Sequence, residues 1–286
     1  MFKVAILGCE NSHANAFLRA VIEEKVVDDI EFVGVYSDDP AAAQKLHDMF
    51  GVPVAERYDE FVGKVDGLLI TARHGDNHFK YAKPYIESGI PMFIDKPITC
   101  SEADAQEFMD LLKQYNIRVS GGSVLPTAPE MKELKSLIQS GVHGKALGGF
   151  LRAPVDLESI YGGFHFYCQH LVQMMTDLFG NYPKSVQAFS KGDMVNCVVR
   201  YDEQDVNLSF VNHNYVYYAG VSFEKAVVGY SGLKGSFSEE FMSFYNLLLG
   251  KPQTQSYEDF FAPVYIHNAI LRSMESGKEE PVHTCK

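Results

Sequence analysis

The stretch KVAILGCENSHANAF, residues 3–17, decides the fold. An apolar run from Val4 to Leu7 meets Gly8, and a helical pattern follows from about Ser12. That is how a nucleotide-binding strand, turn and helix begins. Its glycines let the backbone curve tightly and let a pyrophosphate approach the helix N-terminus. Gly8 meets the first requirement, but Glu10 and His13 stand at the second and third glycine positions. Glu10 adds a side chain and a negative charge where phosphate sits. His13 adds bulk where helix and strand pack, or else turns toward the ligand. The Asn11 amide and Ser12 hydroxyl remain as phosphate donors, and either residue suits the helix N-cap.

Working outward, strands alternate with helices through the first 120 residues, in βα-type alternations that number six on this reading. IEFVGVYS is a second strand, and Asp38-Asp39-Pro40 opens a helix that stops at Gly51. GLLITA is apolar on both faces, as a central parallel strand is. HFKYAKPYIESG is helical with a kink at Pro84 and a stop at Gly89. PMFID is a strand, SEADAQEFMDLLKQYN a helix with a capping box Ser101…Asp104, and IRVSGG a further strand. The expected fold is α/β. A doubly wound parallel (Rossmann) domain spans 1–120, and an α+β domain with an open, mainly antiparallel sheet spans 121–286. In that second domain KALGGFLRA, SVQAFS, VNCVVRYDEQDVNLSFV, YYAGVSFEKAVVGYSG and LKGSF read as strands, with Val195, Cys197, Val199 and Tyr201 alternating toward one covered face. HFYCQHLVQMMTDLFG and the terminal YEDFFAPVYIHNAILRSMESG are helices, and the terminal one has the option of packing back on the first domain.

The 286 residues carry 25 Lys+Arg against 37 Asp+Glu, a net charge of −12 that argues against a nucleic-acid or anionic-membrane surface. The apolar N-terminal run is too short for a signal core or a membrane span, and no later run is long enough. Five scattered cysteines (Cys9, Cys100, Cys168, Cys197, Cys285) form neither a disulfide framework nor a CxxC site, and read as reduced, buried thiols of a cytoplasmic protein.

Chemistry concentrates at the C-terminal strand ends. Ser37, with Asp38 just beyond, ends the second strand where an acidic group accepts the ribose hydroxyls of NAD. No Arg or Lys follows at once to hold a 2′-phosphate, so NAD is favoured over NADP. Lys96, between Asp95 and Pro97, points into a cleft at a strand end and is a candidate catalytic residue. His74 and His78 lie four apart around Asp76, but Gly75 and Asp76-Asn77 suit a loop entering a helix better, and no metal is expected.

DGLLITARHGDNHFKYAKPYIESGIPMFIDKPIT resembles the glucose–fructose oxidoreductase / inositol dehydrogenase (Gfo/Idh/MocA) family, with Asp95-Lys96-Pro97 standing for its E-K-P tripeptide. LKSLIQSGVHGKALGGFLRA, YGGFHFYCQHLVQMMTDLFG and AILRSMESGKEEPV are similar to later parts of that family, so the resemblance covers essentially the whole chain. It implies an NAD(P)-dependent oxidoreductase that passes hydride between a sugar or polyol hydroxyl and a nicotinamide. Thr71, Ala72, Arg73, His78 and Asp95 would join Gly8, Glu10, Asn11, Ser12, His13, Ser37, Asp38 and Lys96 along the cofactor. The family's proton-handling Asp and His lie four apart on the second-domain helix. Here His170 matches the histidine and Phe166 stands where the Asp should be. Tyr167, three residues before His170, or His165, five before it, is the candidate substitute. The resemblance also implies a small polyhydroxylated substrate and a homodimer or homotetramer built through the second sheet. The alternatives are a non-redox lyase or hydrolase on the same scaffold, or an inactive ligand-binding homologue.

Overall fold

The structure is a computed structural model and describes residues 1–284. The chain divides into two units. One comprises Met1–Thr99, Ala103–Gly122 and Phe237–Tyr257, the other Cys100–Glu102, Ser123–Ser236 and Glu258–Lys286. The sequence boundary near 121 assigns everything after it to the second unit, and the segment Phe237–Tyr257 is the exception. It returns to the first because Phe241 and Phe244 bury against the Rossmann core. The terminal helix lies with the second unit from Glu258 onward.

The first unit runs β1 (Phe2–Leu7), α1 (Ser12–Ile22), β2 (Ile30–Tyr36), α2 (Pro40–Phe50), β3 (Gly67–Ile70), α3 (Asp76–Ala82), β4 (Met92–Asp95), α4 (Glu102–Gln114) and β5 (Val119–Gly122). The five strands are all parallel, in the order β2-β1-β3-β4-β5. These are the five strands named from the sequence, one fewer than the six alternations counted there. Between α2 and β3 the chain contributes only an isolated bridge, Val54 to Val35. Every residue of β3 and β4 is buried, which is why GLLI and MFID read as unbroken apolar runs. The helix signals act as read. The Asp39 side chain accepts from the N–H groups of Ala41 and Ala42, and Gly51 ends α2 in the left-handed region at φ +72°. Pro84 has no N–H to continue an α-helical ladder, so a 3-10 segment, Lys83–Ser88, follows α3 up to Gly89.

The second unit contributes α5 (Pro129–Ser140), β6 (Ala146–Pro154), α6 (His165–Phe179), β7 (Ser185–Lys191), β8 (Met194–Arg200), β9 (Asp205–Val211), β10 (Tyr218–Phe223), β11 (Val227–Ser231), the helix α8 (Tyr257–Ser276) from Glu258 on, and β12 (Glu280–Pro281). Its seven-stranded sheet has the order β11-β10-β6-β9-β8-β7-β12 and is antiparallel except where β6 pairs with β9. Val195, Cys197 and Val199 alternate into the covered face as expected, whereas Tyr201 falls beyond the end of β8. α6 packs on β6 and β9.

LKGSF is not a strand. Phe237 instead opens α7 (Phe237–Leu248), with Phe237, Phe241, Phe244 and Leu248 on one helical face. That face joins Phe17 and Leu18 of α1 and Phe93 of β4 in one cluster. Each fully buried phenylalanine contributes about 1.5–3 kcal/mol there. Cys9, Cys168 and Cys197 are buried free thiols, Cys100 is half-buried, and Cys285 lies outside the described residues.

Candidate active site

In the first unit the ends of β1, β3 and β4 carry the chemistry. Gly8 takes φ +92°, and a Cβ there would run into the backbone nitrogen and Cα of Ala72. Thr71 Oγ1 donates to the Gly8 carbonyl at 2.6 Å and fixes the turn from the neighbouring strand. Thr71 and Ala72 are fully buried and serve the turn rather than presenting side chains along a cofactor.

Glu10 does not point away from the turn. Its Oε2 accepts from the Cys9 N–H at 2.8 Å and from Ser37 Oγ at 2.6 Å, and its Oε1 accepts from the Arg73 N–H at 3.2 Å. Donors from the ends of three strands therefore converge on one carboxylate. Asn11 is the N-cap of α1: its Oδ1 accepts from the Ser12 N–H, and its amide donates to Asp95 Oδ2 at 2.6 Å. The amide expected to meet phosphate is thus engaged with Asp95, while Ser12 is exposed. At the end of β2, the Tyr36 hydroxyl donates to Asp38 Oδ1 at 2.6 Å and Lys80 Nζ to Asp38 Oδ2 at 3.2 Å. Burial raises the Asp38 pKa, but the hydrogen bonds from Tyr36 and Lys80 outweigh it and hold the carboxyl below its ordinary value.

His13 turns inward. It is 3% exposed, packed against Phe17, Phe93 and Phe237, with Nδ1 3.1 Å from Asp95 Oδ2 and Nε2 3.2 Å from Glu240 Oε2. Neither nitrogen is aligned for a hydrogen bond. Its inward turn rules out a contact with phosphate. Burial lowers the His13 pKa and raises those of Asp95 and Glu240, so desolvation disfavours the charged form of all three. Asp95 Oδ1 accepts from the Lys96 N–H at 2.7 Å, so the carboxylate fixes the backbone from which Lys96 projects. Lys96 itself is 4% exposed. Glu240 was missed in the sequence because it stands 145 positions beyond Asp95, on a helix that no local pattern ties to this sheet.

His78 is fully buried, with Nδ1 2.7 Å from the Pro97 carbonyl and Nε2 2.8 Å from that of Ala72. It ties the β3 and β4 ends together and cannot face a cofactor, a correction to its expected place. Desolvation pulls its pKa down to about 4, partly offset by those carbonyls. Between that value and the ordinary 6.5 the unfolded chain binds the proton and the native one does not, so this group's contribution to stability falls as pH drops from 6.5 to 4. We expect the stability difference between wild type and His78→Gln to shrink by up to about 1.4 kcal/mol per pH unit in that window. Urea melts of both proteins at pH 7.5, 5.5 and 4.5 check it. A constant difference would mean that His78 titrates alike in the native and the unfolded chain.

In the second unit His170 is buried on α6, its Nδ1 2.7 Å from Ser123 Oγ. Gln173 Oε1 accepts from the Ser123 N–H at 2.5 Å and from Gln169 Nε2 at 2.9 Å, which fixes Ser123 in turn. A hydroxyl both donates and accepts, so Ser123 supports either His170 tautomer. Ser123 and Gln173 were missed because neither matches a motif. The Tyr167 ring lies 6.4 Å from that of His170 and Tyr217 lies 5.7 Å from it, so Tyr167 stays with the site. Phe166 packs between Tyr161 and Tyr167. His165 opens α6, half-buried, and pairs with buried His267 through their Nδ1 atoms at 3.0 Å, so it is not a solvated helix start. His165, Cys168 and His267 bring one ligand atom each within 4.8 Å of one another, a two-imidazole, one-thiolate set of the type that can hold Zn²⁺.

Residues 2–123 match the oxidoreductase family with an NAD-binding Rossmann fold. An uncharacterized oxidoreductase of Streptococcus pneumoniae is 26% identical over 194 residues, 62% of this chain and 52% of that protein. The rhizopine catabolism protein MocA of Rhizobium meliloti is 26% identical over 146 residues, 50% of this chain and 44% of that one. The chain thus spans about half the length of these curated relatives. Scyllo-inositol dehydrogenase from Lactobacillus casei, solved with bound NAD(H) and scyllo-inositol, superposes with a TM-score of 0.85 at 15% identity over 99% of both chains, a likeness of fold. The five-stranded Rossmann sheet and the Asp95-Lys96-Pro97 strand end thus lie in a segment, residues 2–123, that matches the GFO_IDH_MocA oxidoreductase family, and the whole chain shares its fold with inositol dehydrogenases.

Proposed function

We propose that the protein is a nicotinamide-dinucleotide oxidoreductase acting on a polyol-type hydroxyl. One observation carries the reading: buried Asp95 fixes Lys96 at the C-terminal end of β4, inside the segment that matches the NAD-binding family. The chemistry of the donor set supports the cofactor. The Cys9 and Arg73 N–H groups and the Ser37 hydroxyl converge on an anion, in this case the carboxylate of Glu10. The same donors suit a phosphate or ribose oxygen beside the Gly8 turn. Asp38 and the absence of a basic residue directly after it favour NAD over NADP. When bound, the nicotinamide supplies a hydride acceptor.

The remaining steps fall to side chains. The Lys96 ammonium stabilises charge developing on the substrate oxygen. His170, its Nδ1 engaged by Ser123, exchanges the hydroxyl proton through Nε2. Phe166 offers no carboxylate, and Ser123 is the group that orients His170. A polyol substrate is supported by the scyllo-inositol bound to the similar dehydrogenase.

The test is a panel of inositols and other polyols with NAD and with NADP, followed by the absorbance of the reduced nicotinamide. We expect turnover with NAD and a fall of about 100-fold or more in kcat for His170→Gln. No turnover with any polyol would reject the substrate class. The outer face of the second sheet exposes Phe150 (45%), Phe189 (57%) and Val227 (77%), which supports a homo-oligomer through that face.

A further inference from the structure

The two departures in the turn act differently. His13 has gone into the core, but the Glu10 side chain stays at the strand ends, half-buried, and holds three donors from three strands. We propose that Glu10 is a resident internal anion of the dinucleotide turn, which a bound dinucleotide must displace before its own oxygens reach those donors. This rests on the nicotinamide reading above. The geometry supports it in three ways. Oε2 bonds the N–H of Cys9, the residue directly after Gly8, and so sits where the second glycine of such a turn leaves room for pyrophosphate. It also takes the hydroxyl of Ser37, the residue at the end of β2 where the ribose is read. Finally, Oε1 takes the N–H of Arg73, on the loop after β3 that lies beside the turn.

A carboxylate and a phosphate cannot share these donors, because both are acceptors and like charges at such range repel. Binding therefore requires three charge-assisted hydrogen bonds to break and the Glu10 side chain to rotate toward solvent. Nothing covalent opposes this, since Glu10 is only half-buried and the freed donors pass directly to the incoming oxygens. The consequence is a cofactor site with a built-in competitor. Affinity is set by the difference between two anions for one donor set, not by the donor set alone.

The experiment is isothermal titration of NADH and NAD into wild type, Glu10→Ala and Glu10→Gln, with circular dichroism to verify folding. We expect Glu10→Ala to bind NADH about 10- to 100-fold more tightly than wild type, with Glu10→Gln between them because it keeps one acceptor and loses the charge. Thermal melts give an independent readout: without nucleotide Glu10→Ala melts below wild type, since three donors lose their acceptor, and saturating NADH raises its midpoint more than that of wild type. Equal affinities in all three proteins would overturn the competitor role and leave the nicotinamide reading standing. Weaker binding by a folded Glu10→Ala would also overturn it, by making Glu10 a ligand of the nucleotide. No binding to any of the three at millimolar nucleotide would reject both.

Discussion

Lys96→Met lowers kcat by about a thousandfold while the protein stays folded, and its affinity for NADH changes far less. Lys96 is 4% exposed at the end of a fully buried strand, and methionine matches its length and keeps the apolar stem packed. What it removes is the ammonium, the charge that on the proposed mechanism stabilises an alkoxide in the transition state. Lys96→Arg keeps the charge but presents a planar fork in place of a compact ammonium, and we expect it to recover only a small part of the rate. Titration of NADH into Lys96→Met separates binding from chemistry. Turnover within tenfold of wild type would remove Lys96 from the reaction and return it to a merely structural partner of Asp95.

The strand end that carries Lys96 was legible in the sequence, and the reasons show where such reading works. GLLI and MFID are buried on both faces, so their strands leave unbroken apolar runs, and a lysine directly after one of them stands out. Asp39, Gly51 and Gly89 act through the backbone within a few positions, so their signals survive without tertiary information. The environment of Lys96 was not legible. From spacing alone His13 had two open directions, toward ligand or toward core. Phe17 and Phe93 lie near it in the sheet layer, but Phe237 and Glu240 arrive on a helix more than two hundred residues later. Ser123 is the same kind of case: its role as partner of His170 depends on how α6 meets the chain after β5, 47 positions apart. Glu10 reads as an obstacle by its charge, but the sequence does not show that its carboxylate takes the Cys9, Ser37 and Arg73 donors.

Gly121→Ala is the substitution with the largest expected cost to stability. Gly121 pairs with Ile94 across β4 and β5 and sits at φ +128°, a conformation that side-chain-bearing residues rarely adopt. An added Cβ would collide with the Ile94 carbonyl oxygen and lie 2.7 Å from its carbonyl carbon and 2.9 Å from its nitrogen. All three atoms belong to backbone, so no side-chain rotation relieves the clash. One of the two strands must move, and β4 leads directly into Asp95 and Lys96. We expect a loss of about 3 kcal/mol or more, equivalent to a fall of roughly 6–12 °C in Tm for a protein of this size. Gly51→Ala is the matched control. Gly51 is also left-handed, at φ +72°, but nothing lies within 4 Å of its added Cβ, so only the strain of about 1 kcal/mol remains. Differential scanning calorimetry of both variants decides the matter. If Gly121→Ala melts no lower than Gly51→Ala, β4 and β5 yield easily at this point and the strand end that holds Lys96 is not rigidly set by its neighbour. If it melts far lower, a surviving fraction assayed below its Tm should also lose turnover, because displacement of Ile94 carries Asp95 and Lys96 with it.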